Sequence, residues 1–123
     1  MGQILIIDDD PEMRTMLEQT LRAAGHEVQL AADGKSGIEL NRAKPVNLVV
    51  TDLYMPGKEG VETIMELHRD FPEIAIIAMS GKHGAGSLLA ATKKLGATRT
   101  LEKPFQPHEI LAAVEEVLRD RKP

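Results

Sequence analysis

The chain contains no cysteine and no tryptophan, and aromatic residues make up only 2% of its 123 residues. The absence of cysteine excludes a disulfide framework, a thiolate metal site and a cysteine nucleophile. No apolar run approaches the roughly 20 residues that a membrane-spanning helix needs. With Tyr54, Phe71 and Phe105 as the only aromatic residues, the 42% hydrophobic content predicts a core of aliphatic side chains and methionine.

The charges are modest and dispersed. The net charge is −4, and the 15 lysine and arginine residues are scattered, which argues against a nucleic-acid surface. The length predicts one domain, which we place at residues 1–120, with residues 121–123 as a tail or the start of a linker. A strand pattern begins close to the amino terminus, so we expect no signal peptide, no membrane contact and a cytoplasmic location.

Strand-like and helix-like segments alternate along the chain. Three of the strand-like runs are nearly all apolar, as in parallel strands covered by helices on both faces, whereas the second and fifth are more polar and suit sheet edges. With right-handed crossovers this predicts an α/β fold whose parallel strands have the order 2-1-3-4-5. The predicted strands are 3–7, 28–30, 47–51, 74–79 and 98–102, and the predicted helices are 11–24, 34–43, 59–70, 86–95 and 107–119.

Several polar and sulfur-containing residues are assigned structural roles. Asp10 is expected to cap the first helix, and the glycine-rich segment 81–86 fails the phosphate-loop pattern and is predicted to be a loop. Four histidines without metal-ligand spacing are predicted to lie on the surface: His26, His68, His83 and His108. Four methionines are predicted to fill the core: Met13, Met16, Met65 and Met79.

Residues suited to phosphate chemistry follow four of the predicted strands. They are Asp8 and Asp9, Asp52, Ser80 and Lys103. The carboxyl ends of parallel strands meet at one edge of the sheet, where open α/β folds bind ligands. Carboxylates there would repel one another unless a cation neutralised them, and hard oxygen ligands favour Mg²⁺. An aspartate can act as a nucleophile that forms an acyl phosphate, and its central position favours Asp52.

Three segments carry a resemblance to a known family. Residues 4–10 (ILIIDDD), 51–57 (TDLYMPG) and 102–105 (EKPF) resemble the receiver domain of two-component response regulators, in the right order and spacing over essentially the whole chain. The resemblance implies a flavodoxin-like, doubly wound (βα)5 fold. It also implies a phosphoacceptor switch rather than an enzyme, one that phosphorylates itself from small donors, dephosphorylates itself and signals to an output domain or a partner.

The resemblance also implies residue roles. Asp52 would accept a phosphoryl group from a sensor histidine kinase or a histidine phosphotransfer protein. Asp9 and Asp52 would coordinate Mg²⁺, with Asp8 acting through a bound water and Tyr54 contributing its backbone carbonyl. Ser80 and Lys103 would bind the phosphoryl oxygens. Two backbone features are implied as well: a cis peptide bond at Lys103-Pro104, and a glycine at Gly60 after the loop that follows the acceptor.

One position departs from the family pattern. Thr100 stands three residues before the lysine, where such domains usually carry phenylalanine or tyrosine. The usual aromatic relay from Ser80 to the fifth strand cannot operate with threonine. We therefore hypothesise that output runs through the glycine-rich loop and the predicted fourth helix. The resemblance further suggests that Tyr54 and Lys82 set the lifetime of the phosphorylated state.

Two alternatives from other classes remain open at this point. A haloacid-dehalogenase-type phosphatase also uses a strand-end aspartate, a lysine and Mg²⁺, and Asp8 and Asp10 have its Asp-x-Asp spacing. Glu12 stands where that family has threonine or valine, and no acidic pair on a strand follows Lys103. The second alternative is a degenerate receiver that acts only as a protein-interaction module. The intact acidic, hydroxyl and lysine residues argue against it, whereas Thr100 favours it.

Overall fold

The computed structural model describes residues 2–53, 60–80 and 96–120. Within these ranges strands and helices alternate, as the sequence predicts, and the predicted helix over 86–95 lies outside them. The strands are β1 Gln3–Ile7, β2 Glu27–Ala31, β3 Leu48–Asp52, β4 Ala75–Ser80 and β5 Arg99–Glu102. The helices are α1 Pro11–Ala23, α2 Gly34–Ala43, α3 Gly60–Asp70 and α4 Pro107–Asp120.

The five strands form one parallel sheet in the order β2-β1-β3-β4-β5. This confirms the predicted strand order and the doubly wound α/β fold. Every residue of β3 and β4 is buried, whereas the edge strands β2 and β5 have exposed or half-buried positions. The pattern follows from the sequence, because only strands covered on both faces need to be apolar throughout.

A hydrophobic core lies on each face of the sheet. The alternation of side chains along β1 sends Ile4 and Ile6 to the face covered by α1 and α4, and Leu5 and Ile7 to the face covered by α2 and α3. Removing each of these side chains from water contributes about 1.5–3 kcal/mol. Because both cores anchor the same strands, the carboxyl ends of those strands have fixed positions.

Two helices begin with an aspartate cap. The Asp10 side chain accepts a hydrogen bond from the Glu12 backbone N–H at 3.0 Å, and Pro11 is the first residue of α1. The Asp33 side chain accepts one from the Ser36 backbone N–H at 2.8 Å at the start of α2. The predicted structural role of Asp10 is therefore confirmed.

One of the four methionines predicted to lie in the core does not. Met79 is fully buried, and Met13 and Met16 are half-buried against the same core, but Met65 is 49% exposed. The buried stripe of α3 consists of Gly60, Thr63, Ile64 and Leu67. Thr63 occupies an inward position of this stripe, and Met65 lies one residue beyond Ile64, about 100° further round the helix.

The surface prediction for the histidines is wrong for His26. Its side chain is 8% exposed, and its Nδ1 accepts a hydrogen bond from the Gly2 backbone N–H at 3.0 Å. His68 and His108 are exposed as predicted, and His83 lies outside the described residues. His26 is buried because the turn after α1 brings it against the start of β1, a contact that its local sequence does not reveal.

Candidate functional site

The polar residues of the predicted site meet at the carboxyl edge of the sheet. Asp52 is the last residue of β3 and Ser80 the last residue of β4, so both belong to their strands rather than following them. Asp8 and Asp9 come directly after β1, and Lys103 directly after β5. Because these four strands are neighbours in the order β1-β3-β4-β5, their side chains share one end of the sheet.

Three carboxylates form an acidic pocket at this edge. One oxygen from each of Asp8, Asp9 and Asp52 lies within 4.8 Å of the other two. Asp8 and Asp52 are buried, whereas Asp9 is exposed. Carboxylate oxygens at this separation suit a hard divalent cation, which would also relieve their mutual repulsion. The acidic pocket can therefore hold a metal ion, and it is open to solvent on the side of Asp9.

A lysine ammonium links the two buried carboxylates. Lys103 Nζ donates to Asp8 Oδ2 at 3.1 Å and to Asp52 Oδ2 at 3.2 Å. Burial alone would lower the pKa of Lys103, but the charges of Asp52 and Asp8 outweigh it and raise that pKa above its usual value. Lys103 is therefore a cation at neutral pH, held at the mouth of the acidic pocket.

The surroundings of Asp8 raise the pKa of its carboxyl group. Burial raises the pKa of Asp8, and the hydrogen bond from the Asp10 backbone N–H at 2.9 Å and the charge of Lys103 offset this only in part. The nearby charge of Asp52 adds to the increase. The charged form of Asp8 thus has a free-energy cost in the folded domain, and a bound cation would reduce that cost.

Backbone hydrogen bonds fix the spacing of these strand ends. The Lys103 backbone N–H donates to the Ser80 carbonyl at 2.6 Å, and the Leu53 backbone N–H donates to the Met79 carbonyl at 2.9 Å. The Lys103-Pro104 peptide bond is cis, as the family resemblance implies. Ser80 is fully buried beside Lys103. The backbones of Ser80 and Lys103 thus lie on the same side of β3 in the sheet order.

Gly60 makes the closest backbone approach to Asp52. A Cβ atom at this position would lie 2.2 Å from the Asp52 carbonyl oxygen and 2.4 Å from the Leu53 Cα. Both neighbours are backbone atoms that cannot rotate away. Only glycine therefore allows α3 to begin this close to the end of β3.

The contact of Arg14 with the site was not predicted. Arg14, in the first turns of α1, donates from Nη1 to the backbone carbonyl of Asp8 at 2.6 Å. In the sequence, Arg14 is one of many charged residues on an amphipathic helix, and helical periodicity alone gives no signal that it reaches back to the strand end. The contact depends on how α1 packs beside β1.

Three predictions concern residues that the structure does not describe or test. Tyr54 and Lys82 lie outside the described residues, as does the segment 81–95 to which we assign the output. Thr100 is half-buried on β5 and pairs with Ala78 of β4. The hypothesis that output runs through the segment 81–95, which rests on Thr100, stays a prediction.

Comparison with known proteins identifies the family. The model of the response regulator receiver domain matches residues 4–115. The chain therefore belongs to the receiver domains of two-component response regulators, a family of conformational switches.

Curated relatives support this assignment along nearly the whole chain. The sequence is 34% identical to the transcriptional regulatory protein FixJ of Bradyrhizobium diazoefficiens, over 99% of this chain and 59% of FixJ. It is 32% identical to BaeR of Escherichia coli, over 98% of this chain and 50% of BaeR. The chain spans about half the length of these two relatives, both of which are transcriptional regulatory proteins.

Solved structures show the same fold. The receiver domain of NtrX from Brucella abortus matches with a TM-score of 0.90 and 27% identity, covering 94% of this chain and 98% of that one. A CheY-like receiver domain protein from Methanospirillum hungatei matches with a TM-score of 0.92 and 27% identity, covering 98% and 96% of the two chains. No helix within the described ranges is long and apolar enough to cross a membrane.

The phosphatase alternative does not fit these findings. It needs the Asp10 carboxyl group at the reaction site, whereas that group accepts a hydrogen bond from the first turn of α1. The family match over residues 4–115 points in the same direction.

Proposed function

We propose that Asp52 accepts a phosphoryl group from the phosphohistidine of a sensor histidine kinase or a histidine phosphotransfer protein. Phosphorylation then switches the conformation of the domain, which signals to an output domain or a downstream partner in the cytoplasm. The observation that carries this proposal is the position of Asp52. It ends a central strand, within 4.8 Å of two other carboxylates and 3.2 Å from the Lys103 ammonium.

In the transfer step, an Asp52 carboxylate oxygen forms a bond to phosphorus. The phosphorus–nitrogen bond of the donor breaks, and its electron pair leaves with the imidazole nitrogen, which takes up a proton. The Lys103 ammonium would move from the Asp52 carboxylate to the phosphoryl oxygens and offset their charge. Ser80, at the end of the adjacent strand, would donate a hydrogen bond to another of these oxygens.

Mg²⁺ is the cation that we propose for the acidic pocket. Asp9 and Asp52 would bind it directly, Asp8 would act through a water, and the backbone carbonyl of Tyr54, a residue outside the described ranges, would be a further ligand. The hard oxygen donors and the exposed side at Asp9 support this assignment, since Mg²⁺ keeps several waters and shares a phosphate with few carboxylates. When bound, Mg²⁺ would stabilise negative charge on the transferring group. Asp8 and Asp9 supply the negative charge that attracts it.

Return to the starting state requires hydrolysis. A water oxygen attacks phosphorus, the bond from phosphorus to the Asp52 oxygen breaks, and inorganic phosphate leaves the restored carboxylate. The domain thus catalyses a reaction on itself and acts as a switch, for which two states with different partner affinities are necessary.

The test is the intact mass of the protein after incubation with Mg²⁺ and a small phosphodonor. Acetyl phosphate and phosphoramidate would be used, because the second has the phosphorus–nitrogen bond of phosphohistidine. The wild-type chain is expected to gain one phosphoryl group, and to gain none when a chelator replaces Mg²⁺. Asp52→Asn is expected to gain none.

The matched control is Asp10→Asn. Asparagine caps helices as well as aspartate does, so this variant keeps α1 and removes a neighbouring carboxylate. We expect it to be phosphorylated like the wild type. A gain that persists in Asp52→Asn would contradict the proposal, and no gain by the wild type with either donor would favour a pure interaction module.

A further inference from the structure

Arg14 lies beside the acidic pocket, but its contact is not with a carboxylate. Its Nη1 atom donates to the backbone carbonyl of Asp8 at 2.6 Å, and its side chain is half-buried. Within the described ranges, no carboxylate forms an ion pair with Arg14. The guanidinium therefore holds the peptide group that joins Asp8 to Asp9.

The three carboxylates of the pocket differ in the hydrogen bonds that they accept from the described residues. The Asp8 carboxylate accepts hydrogen bonds from the Asp10 backbone N–H and from Lys103, and the Asp52 carboxylate accepts one from Lys103. Of the residues that the structure describes, none donates a hydrogen bond to the Asp9 carboxylate. The direction in which Asp9 points thus depends on its backbone.

We infer that Arg14 is a positioning residue for the cation in the acidic pocket, acting through the Asp8-Asp9 peptide bond. Because Arg14 holds the Asp8 carbonyl, the Asp8-Asp9 peptide plane cannot rotate freely. The backbone of Asp9 therefore keeps one orientation, which limits the directions in which its exposed side chain can point. A ligand that is oriented before binding loses less conformational freedom when the cation arrives. This inference rests on the proposed metal-binding function of the pocket.

The positive charge of Arg14 has the opposite effect on a cation. Repulsion from the guanidinium lowers the affinity for Mg²⁺, so removal of the charge alone would strengthen binding. Charges near solvent are screened by salt, whereas the hydrogen bond to Asp8 is direct and short. We expect the orienting effect of this hydrogen bond to exceed the repulsion, so that loss of Arg14 raises the Kd for Mg²⁺. A lower Kd would mean that repulsion is the larger effect.

The same helix provides a matched control. Arg22, eight residues further along α1, donates from Nη2 to the backbone carbonyl of Val28 at 2.8 Å. It also forms an ion pair with Glu18 at 3.0 Å. Both arginines tie α1 to a backbone carbonyl, but Val28 lies within β2, away from the pocket. Arg22→Met therefore removes a comparable structural contact without touching the site.

The experiment is calorimetric titration of the metal-free protein with MgCl₂, together with thermal unfolding in the absence of metal. Arg14→Met keeps the aliphatic stem and is expected to raise the Kd for Mg²⁺ about tenfold, the lower end of the range for residues that orient metal ligands. Arg14→Lys keeps the charge and one donor and is expected to fall between Arg14→Met and the wild type. Arg22→Met should keep the wild-type Kd, whatever its unfolding temperature.

The outcomes of the titration distinguish failure of the positioning role from failure of the proposed function. A Kd for Arg14→Met that equals the wild-type value, or is lower, would overturn the positioning role and leave the proposed function intact. An equal rise in Arg22→Met would overturn it too, because loss of helix anchoring would then explain both effects. Absence of Mg²⁺ binding by the wild-type chain would overturn the proposed function and the role of Arg14 together.

Discussion

The two ends of the sheet differ in the polar groups that they bury. At the carboxyl end, two buried carboxylates pair with the Lys103 ammonium, and the exposed Asp9 carboxylate lies within 4.8 Å of them. At the amino end, neutral groups satisfy the backbone: His26 accepts from Gly2 N–H at 3.0 Å, Asn47 from Gln3 N–H at 2.8 Å, and Asn41 from Val46 N–H at 2.9 Å. One end concentrates charge, and the other end pairs backbone N–H groups with neutral side chains, although His26 Nε2 and Asn41 Nδ2 are themselves buried without a partner among the described residues.

This difference separates stability from function in one small domain. Neutral hydrogen bonds to buried backbone groups stabilise the fold, since an unpaired buried donor costs about 1–3 kcal/mol. Like charges held together destabilise the fold until a cation neutralises them. Substitutions at the amino end should therefore change stability without changing phosphorylation. Those at the carboxyl end should impair phosphorylation, and should stabilise the metal-free domain where they remove a buried charge. Positions where the backbone itself is crowded are an exception.

Gly60→Ala is the largest expected effect and tests that exception. The added Cβ would meet the Asp52 carbonyl oxygen at 2.2 Å, and neither partner can move without shifting the end of β3. We expect a loss of about 3 kcal/mol in the free energy of unfolding, measured by urea denaturation, with slower phosphorylation.

The control for Gly60 is Gly37→Ala in α2. There the added atom would meet the Ile7 side chain at 2.4 Å, a group that can adopt another rotamer. We expect a smaller loss of stability and an unchanged phosphorylation rate. Equal destabilisation by the two substitutions would contradict the special role of the Asp52 backbone.

Asn41→Ala tests the amino end. It leaves the Val46 N–H without its acceptor in a fully buried position, for an expected loss of about 2 kcal/mol in the free energy of unfolding. Asn47→Ala removes a similar hydrogen bond at an exposed position and should have a smaller effect, because water can replace the amide. Both variants should be phosphorylated at the wild-type rate. Slower phosphorylation of either would contradict the proposed separation of stability at the amino end from phosphorylation at the carboxyl end.

Asp8→Asn should change stability in the opposite direction and raise the free energy of unfolding of the metal-free domain. It removes a buried charge whose pKa burial has raised, while Asp52 remains as the partner of Lys103. We expect the metal-free domain to become more stable, because the folded state no longer carries the cost of that buried charge, and its affinity for Mg²⁺ to fall at least tenfold. Thermal unfolding with and without Mg²⁺ measures both effects. Destabilisation of the metal-free domain would show that Asp8 mainly stabilises the fold.

From the burial of His26 at the amino end we expect a small dependence of stability on pH. Burial lowers the pKa of His26 below its usual 6.5, so the folded state binds the proton less readily than the unfolded state. Stability is then complete above the unfolded pKa and is lost as the pH falls through it. We expect the free energy of unfolding to fall as the pH is lowered from 7.5 to 5, because the unfolded state takes up the proton first.

The measurement for His26 is the difference between the urea-unfolding curves of the wild type and His26→Gln over that pH range. His108→Gln, at an exposed position, is the control and should follow the wild type. Identical pH dependence in the wild type and His26→Gln would show that another group titrates.

The sequence predicted the fold and the meeting of the polar residues because these depend on local patterns. Apolar strands, Asp-Pro at the start of α1 and polar residues at strand ends are each readable within a few residues. The burial of His26 and the exposure of Met65 depend instead on which face of an element packs inward, and a half-apolar stripe does not determine that.

The contact of Arg14 was beyond sequence reasoning for a related reason. A long side chain on a polar helix face can point into solvent or reach back to the preceding strand, and the choice depends on how the helix packs on the sheet. The same holds for Lys103: its position after β5 predicted the edge that it occupies, whereas its contact with both Asp8 and Asp52 emerged only from the folded structure.

The central claim is that Asp52 is the phosphoacceptor, and site mapping tests it most directly. The phosphorylated protein would be reduced with borohydride, which converts an aspartyl phosphate to homoserine, and its peptides analysed by mass spectrometry. The account predicts homoserine at position 52 alone, dependent on Mg²⁺ and absent without phosphodonor. Homoserine at position 8 or 9, with Asp52 unchanged, would contradict it.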